Sequence, residues 1–163
     1  MKKIVLAFAF IGSLLVASDF SEAVNKLDVG SEKEAVEALS ILAKNGNVDS
    51  QTLLGEIYLD GIGTEVNFEK AFFWLSKAAK SDVEAKYLLG FMYENGLYVK
   101  QDNLKALSFY EASAKNGGLL AQFNVAMMYK EGKGGIKKDM NKAMMWLEKA
   151  SLSKNSTNYL SAR

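Results

Sequence analysis

The sequence predicts an all-α protein, a solenoid of helix-turn-helix repeats. Three observations predict it. The stretch LLGEIYLDG (Leu53–Gly61) returns 35 residues later as LLGFMYENG (Leu88–Gly96), and a third copy aligns on Tyr129. Apolar residues between these points recur at i, i+3 and i+4, the spacing of one helix face. The chain has no proline, the residue that breaks helix interiors. A period of this length marks stacked supersecondary units, each too small to bury its own apolar face.

The chain opens with MKKIVLAFAFIGSLLVAS. Lys2 and Lys3 form a positive start, Ile4 to Val16 is largely apolar, and Val16 and Ser18 suit the −3 and −1 positions of a cleavage site. This is the pattern of a secretory signal peptide over 1–18, cleaved after Ser18. As a helix the apolar run spans only ~20 Å, short of the ~30 Å hydrocarbon core, so a stable membrane anchor is not expected after cleavage. Without Lys2 and Lys3 the basic residues fall from 20 to 18 against 19 acidic ones, a net charge of −1. A balanced charge gives no pull toward nucleic acid. Cysteine and histidine are both absent, which removes the thiol nucleophile, the imidazole base and the ordinary zinc ligands. No cofactor and no metal is expected.

A half-copy at 32–48 starts the array, with Ala35 and Leu42-Ala43-Lys44. Full repeats follow at 49–83, 84–118 and 119–152, then a polar tail at 153–163. The first helix of each repeat is expected over Ser50–Asp60, Glu84–Asn95 and Leu120–Glu131. Each ends at a glycine three residues past its tyrosine: Tyr58 and Gly61, Tyr93 and Gly96, Tyr129 and Gly132. Glycine is the usual residue just past a helix end. The second helices are expected to start at Asn67, Asp102 and Asp139, whose side chains can accept from free N–H groups of the first turn. Their apolar faces read Ala71, Trp74, Leu75 and Ala78 in one copy and Ala143, Trp146, Leu147 and Ala150 in the last. Ala106 holds the alanine slot between them. Gly55, Gly90 and Ala126 are small where two helices cross, and the large rings fill the wedge between units with polar tips free to seek backbone partners. Lys70, Lys105 and Lys142 recur in a first turn, where the helix dipole disfavours positive charge, and nothing in the one-dimensional pattern explains them.

The shared letters (Leu54-Gly55, Tyr58, Gly61, Gly63, Asn67, Lys70-Ala71, Trp74, Lys77-Ala78-Ala79) resemble the Sel1-like repeat, a relative of the tetratricopeptide repeat. Tyr98 stands where the second loop glycine belongs, and the last copy has one extra loop residue in Gly132–Ile136. The resemblance implies a right-handed α/α superhelix whose first helices line a concave face. Carried onto this chain, that face holds Glu56, Tyr87, Phe91, Phe123, Asn124 and Met127. Phe91 and Met127 occupy the slot of Glu56, so an apolar surface for a peptide or partner helix is one reading. The other is that these side chains are core. Asn124 could hold a peptide backbone, as an asparagine does in some relatives, or be a solvated surface residue.

The function implied is a non-catalytic scaffold or adaptor of the cell envelope with a protein or peptide partner. It is expected in the periplasm, with secretion as the second location. Two alternatives come from the resemblance. Cysteine-rich, exported Sel1-type bacterial proteins have been assigned β-lactamase or penicillin-binding activity, and Ser151-Leu152-Ser153-Lys154 fits S-x-x-K. Its companions S-D-N and K-T-G and the cysteines of that subgroup are missing from the chain. The other alternative is a secreted factor that acts on a host cell.

Overall fold

The cap residues expected from the sequence set where the helices begin. Asn67, Asp102 and Asp139 each accept, through a side-chain oxygen, the N–H of the residue three positions on, at 2.9 Å. Asn47 and Asp82 do the same for Ser50 and Ala85 at 2.7 Å. Each bond satisfies a donor that the first turn leaves open. A computed structural model describes residues 19–161, with side chains over 19–152. The expected signal peptide at 1–18 lies outside the described residues. The elements are α1 (19–28), α2 (Glu32–Lys44), α3 (Val48–Asp60), α4 (Phe68–Ala78), α5 (Val83–Asn95), α6 (Asn103–Lys115), α7 (Leu119–Glu131), a 3-10 turn (Lys133–Gly135) and α8 (Met140–Ser161). No strand occurs among the described residues.

The helices fall into two compact units, one ending at Ala78 and the other starting at Ala79. In the first, Leu39, Leu54, Ile57 and Leu75 are fully buried. Gly55 lies against Leu75, and a Cβ on it would collide with that side chain. In the second, Tyr110, Val125, Met128, Ile136 and Trp146 form the core, with Tyr87, Tyr93, Leu107 and Tyr129 packed at its margin. Gly90 admits the Tyr110 ring here: a Cβ would stand 2.6 Å from its Cδ1. Ala126 takes the same slot in the last repeat and is buried.

The tyrosine slot also fixes the loops. The backbone N–H of Asn67 donates to the Tyr58 carbonyl at 2.7 Å, Asp102 to Tyr93 at 2.9 Å, and Asp139 to Tyr129 at 2.8 Å. The extra residue of the last loop is taken up by the 3-10 turn, so this closing bond survives. Gly63 carries φ +65°, and a Cβ on it would lie 2.5 Å from Glu32 Cβ. Tyr98 has the same φ of 65°, a left-handed backbone that costs an L residue ~1–2 kcal/mol.

Some bonds between successive helices have no counterpart in the sequence reading. Gln51 donates through Nε2 to the Ala43 carbonyl at 3.0 Å, and Gln122 to the Ala114 carbonyl at 3.2 Å. Both glutamines are buried, so each amide ties the start of a first helix to the end of the helix before it. The Ser113 hydroxyl donates to the Val83 carbonyl at 2.8 Å.

One expectation needs correction. Leu147 was assigned to the buried face of α8, but it is exposed, because no following helix lies over it among the described residues. The polar stretch from 153 continues α8, which runs to Ser161. Tyr129 donates its hydroxyl to Glu111 Oε1 at 2.7 Å, and Tyr110, outside the repeated tyrosine slot, donates to Glu94 Oε2 at 2.9 Å.

Candidate functional site

Five of the six face residues expected from the sequence lie in the second unit, on α5 and α7. Glu56 lies on α3 in the first unit, half-buried. On α5, Tyr87 and Phe91 are one turn apart and share a side. On α7, Phe123, Asn124 and Met127 occupy adjacent turns. Phe91 is 39% and Phe123 51% exposed, while Tyr87, Asn124 and Met127 are half-buried. The two phenylalanines are therefore surface residues and not core. Leu120 is exposed as well, one turn before Phe123 and Asn124.

A polar cluster joins the two helices behind these rings. Tyr110, on α6, donates to Glu94 Oε2. Lys133 pairs with the other carboxylate oxygen, Glu94 Oε1, at 3.3 Å. The Tyr87 and Tyr110 rings lie 5.5 Å apart, tilted by 37°. Burial raises the Tyr110 hydroxyl well above its ordinary range, and its bond to Glu94 pushes the same way. Tyr87 is raised by burial and by the Glu84 charge. Asn124 reaches both hydroxyls and opposes both shifts, as an amide N–H donor does. So Asn124 lies beside the two tyrosine hydroxyls, where the sequence left it open between ligand binding and solvent.

At neutral pH these hydroxyls keep their protons. The cluster supplies hydrogen-bond donors and acceptors, not a nucleophile or a base. Among the described residues no group of acidic side chains is arranged to hold a metal ion. Ser151, of the S-x-x-K match, is exposed on α8 and donates to the Glu148 carbonyl of its own helix at 2.8 Å.

The sequence reading missed Tyr110 and the pairing of Lys133 with Glu94. Tyr110 carried a signal: Leu75 and Leu147 take its slot in the other copies, so a hydroxyl-bearing ring there was the exception. Lys133 was legible as a basic loop residue, but nothing in its spacing pointed to a partner on α5.

The recurring lysines now have a partner. Lys70 Nζ lies 5.0 Å from the Tyr58 ring centroid, Lys105 5.2 Å from Tyr93 and Lys142 4.6 Å from Tyr129. A cation over a ring face is attracted by its quadrupole. The contact crosses the loop from the second helix to the end of the first, which no periodicity in one helix reveals.

Comparison with known proteins agrees with the helix pairs. The Sel1 repeat profile matches residues 48–83, 83–118 and 119–155. A sel1-like repeat-containing protein of Acanthamoeba polyphaga mimivirus is 38% identical over 88 residues, 53% of this chain and 16% of that one. An ERAD-associated E3 ubiquitin-protein ligase component of Arabidopsis thaliana is 31% identical over 116 residues, 70% of this chain and 18% of that one. The chain thus spans less than a fifth of either relative. The crystal structure of a Sel1 repeat protein from Oxalobacter formigenes superposes with a TM-score of 0.78 at 26% identity, covering 85% of this chain and 58% of that one. With an all-helical architecture, three matched repeats and this structural likeness, the chain is an α-solenoid that belongs to the Sel1 repeat family.

Proposed function

We infer that the protein is a non-catalytic scaffold that binds an extended segment of another protein on the α5–α7 face of its second unit. Sel1 repeat proteins act as scaffolds or adaptors in protein interactions. The observation that carries the finer reading is the pair Phe91 and Phe123, exposed on well-packed helices beside a polar cluster. Large apolar rings held in water by a rigid scaffold suit a partner that removes them from water. The site of action is the cell envelope, most simply the periplasm. Support for that comes from the charged start, apolar run and small residues of positions 1–18.

Crosslinking in the native cell tests the reading. The wild-type chain is compared with a Phe91→Ala/Phe123→Ala variant whose helical content matches it. A discrete protein captured by the wild type and lost with the variant is expected. The same proteins on both baits, or none, would sink the face assignment. Mass spectrometry of the recovered chain reads the location independently: export predicts a first residue of Asp19, and an intact Met1 in a cytoplasmic fraction counts against it.

A further inference from the structure

The surface strip along α5 and α7 has two unlike ends. At one end the helix starts come together. The Ser113 hydroxyl donates to the Val83 carbonyl at 2.8 Å, and Gly118, the N-cap of α7, lies against both Ser113 and Val83. Glu84 follows Val83 in the chain, and Leu120 stands in the first turn of α7. At the other end Lys133, just past α7, pairs with Glu94 near the end of α5. The two helices therefore run parallel along the strip. Glu84, Leu88 and Phe91 share one side of α5 at i, i+4 and i+7. Leu120 and Phe123 are exposed beside them on α7.

The carboxylates at the two ends are served differently. Glu94 has both oxygens engaged, one by Tyr110 and one by Lys133. Glu84 has no ion pair among the described residues. Burial raises its carboxyl above the ordinary carboxylate range, and the charge of Asp82 pushes the same way. Lys86 stands two residues on, which puts it on the opposite side of α5. The first turn of α7, residues 119–122, carries no charge at all. The strip thus has an uncompensated negative charge at its Glu84 end and a compensated one at its Glu94 end.

A segment that covers Phe91 and Phe123 takes water from the same strip. An all-apolar cover would leave Glu84 with less water and no counter-charge, a costly state for a carboxylate. A cation in the covering segment removes that cost and gives the face a charge to recognise. Glu84 and Phe91 are seven residues apart on one helix, a rise of about 10 Å, which three residues of extended chain also span. We propose that the segment bound on the α5–α7 face carries a lysine or arginine over Glu84, three positions from the apolar side chain that covers Phe91. This rests on the scaffold function inferred above and adds to it the chemistry of the segment.

Selection from a phage-displayed library of random dodecapeptides on the purified protein tests this. The baits are the wild type, Glu84→Gln, Glu84→Lys and Phe91→Ala/Phe123→Ala, matched in helical content. The wild type is expected to enrich peptides with Lys or Arg three positions from a large apolar residue. Glu84→Gln should remove the basic preference and Glu84→Lys should turn it to Asp or Glu, while both keep the apolar one. A synthetic peptide of the enriched sequence should bind Glu84→Gln about fivefold more weakly than the wild type. Enrichment of apolar residues alone, or a basic preference unchanged in Glu84→Gln, overturns the proposal and leaves the face assignment standing. No enrichment by the wild type, or the same peptides on the phenylalanine variant, overturns both. Self-association of the wild type that the phenylalanine variant abolishes puts a second copy on the face and overturns the proposal.

Discussion

Tyr98 holds a left-handed backbone at φ 65°, where Gly63 and Gly134 sit at 65° and 63°. A β-carbon in that conformation crowds the neighbouring carbonyl, at a cost of ~1–2 kcal/mol. Glycine removes the crowding but adds ~0.5–1 kcal/mol of backbone entropy to lose on folding. Tyr98→Gly should therefore raise stability by about 0.5–1 kcal/mol, read as a higher urea midpoint at unchanged m-value. A lower midpoint would mean that the Tyr98 ring contributes more than its backbone costs. Tyr129 makes a second prediction at this scale. Its pKa is pushed from 10.0 up to about 12, by burial first and then by its bond to Glu111. The folded state holds this proton more tightly than the unfolded chain does. Its contribution is complete below pH 10 and is lost as pH rises through about 12. Tyr129→Phe should flatten the fall in stability across that window. An unchanged slope would show that the hydroxyl does not titrate high.

At the scale of the element, one loop design recurs three times. A glycine ends the first helix, an Asn or Asp starts the second, and the tyrosine carbonyl takes the cap residue's N–H. The lysine three positions after the cap, in the first turn of the second helix, then returns to the tyrosine ring. The cap and the cation act on the same residue, since the cap side chain accepts the lysine's own N–H, so their losses are expected to couple. Asp102→Ala should cost ~1 kcal/mol through the open first turn. Lys105→Met, which keeps the apolar stem, should cost ~0.5–1 kcal/mol through the lost ring contact. Denaturation of both single variants and the double variant measures the coupling between them. A coupling energy of at least ~0.5 kcal/mol is expected, since Asp102 Oδ1 accepts the N–H of Lys105 itself and residues in contact couple. Full additivity would show that the cap does not help to hold the lysine over the ring.

For the molecule as a whole, each repeat packs mainly on its neighbours, so stability in such arrays is close to a sum of local terms. Ile57, buried in the first unit, offers a mild probe. Ile57→Val should cost ~0.5–1.5 kcal/mol, and amide exchange should quicken first in residues up to Ala78. Equal acceleration in both units would show that the chain opens as one cooperative body. The order of elements was legible in advance because it rests on short-range chemistry. A cap bonds three residues along, a glycine ends its own helix, and small residues mark a crossing at a fixed offset. Those rules needed no partner from elsewhere in the chain, and Asn67, Asp102, Asp139, Gly55 and Gly90 all followed them. Phe91 and Phe123 were legible only as face residues, because the same spacing suits core and surface alike. Exposure depends on what packs against a residue, and Leu147, exposed in the slot where Tyr110 is buried, shows how far that changes a residue's setting. The lysines over the tyrosine rings, the Glu94–Tyr110 bond and the reach of Asn124 to two hydroxyls join helices that are separate in sequence. Such contacts are set by how the helices cross, and the one-dimensional pattern carries no coordinate for that.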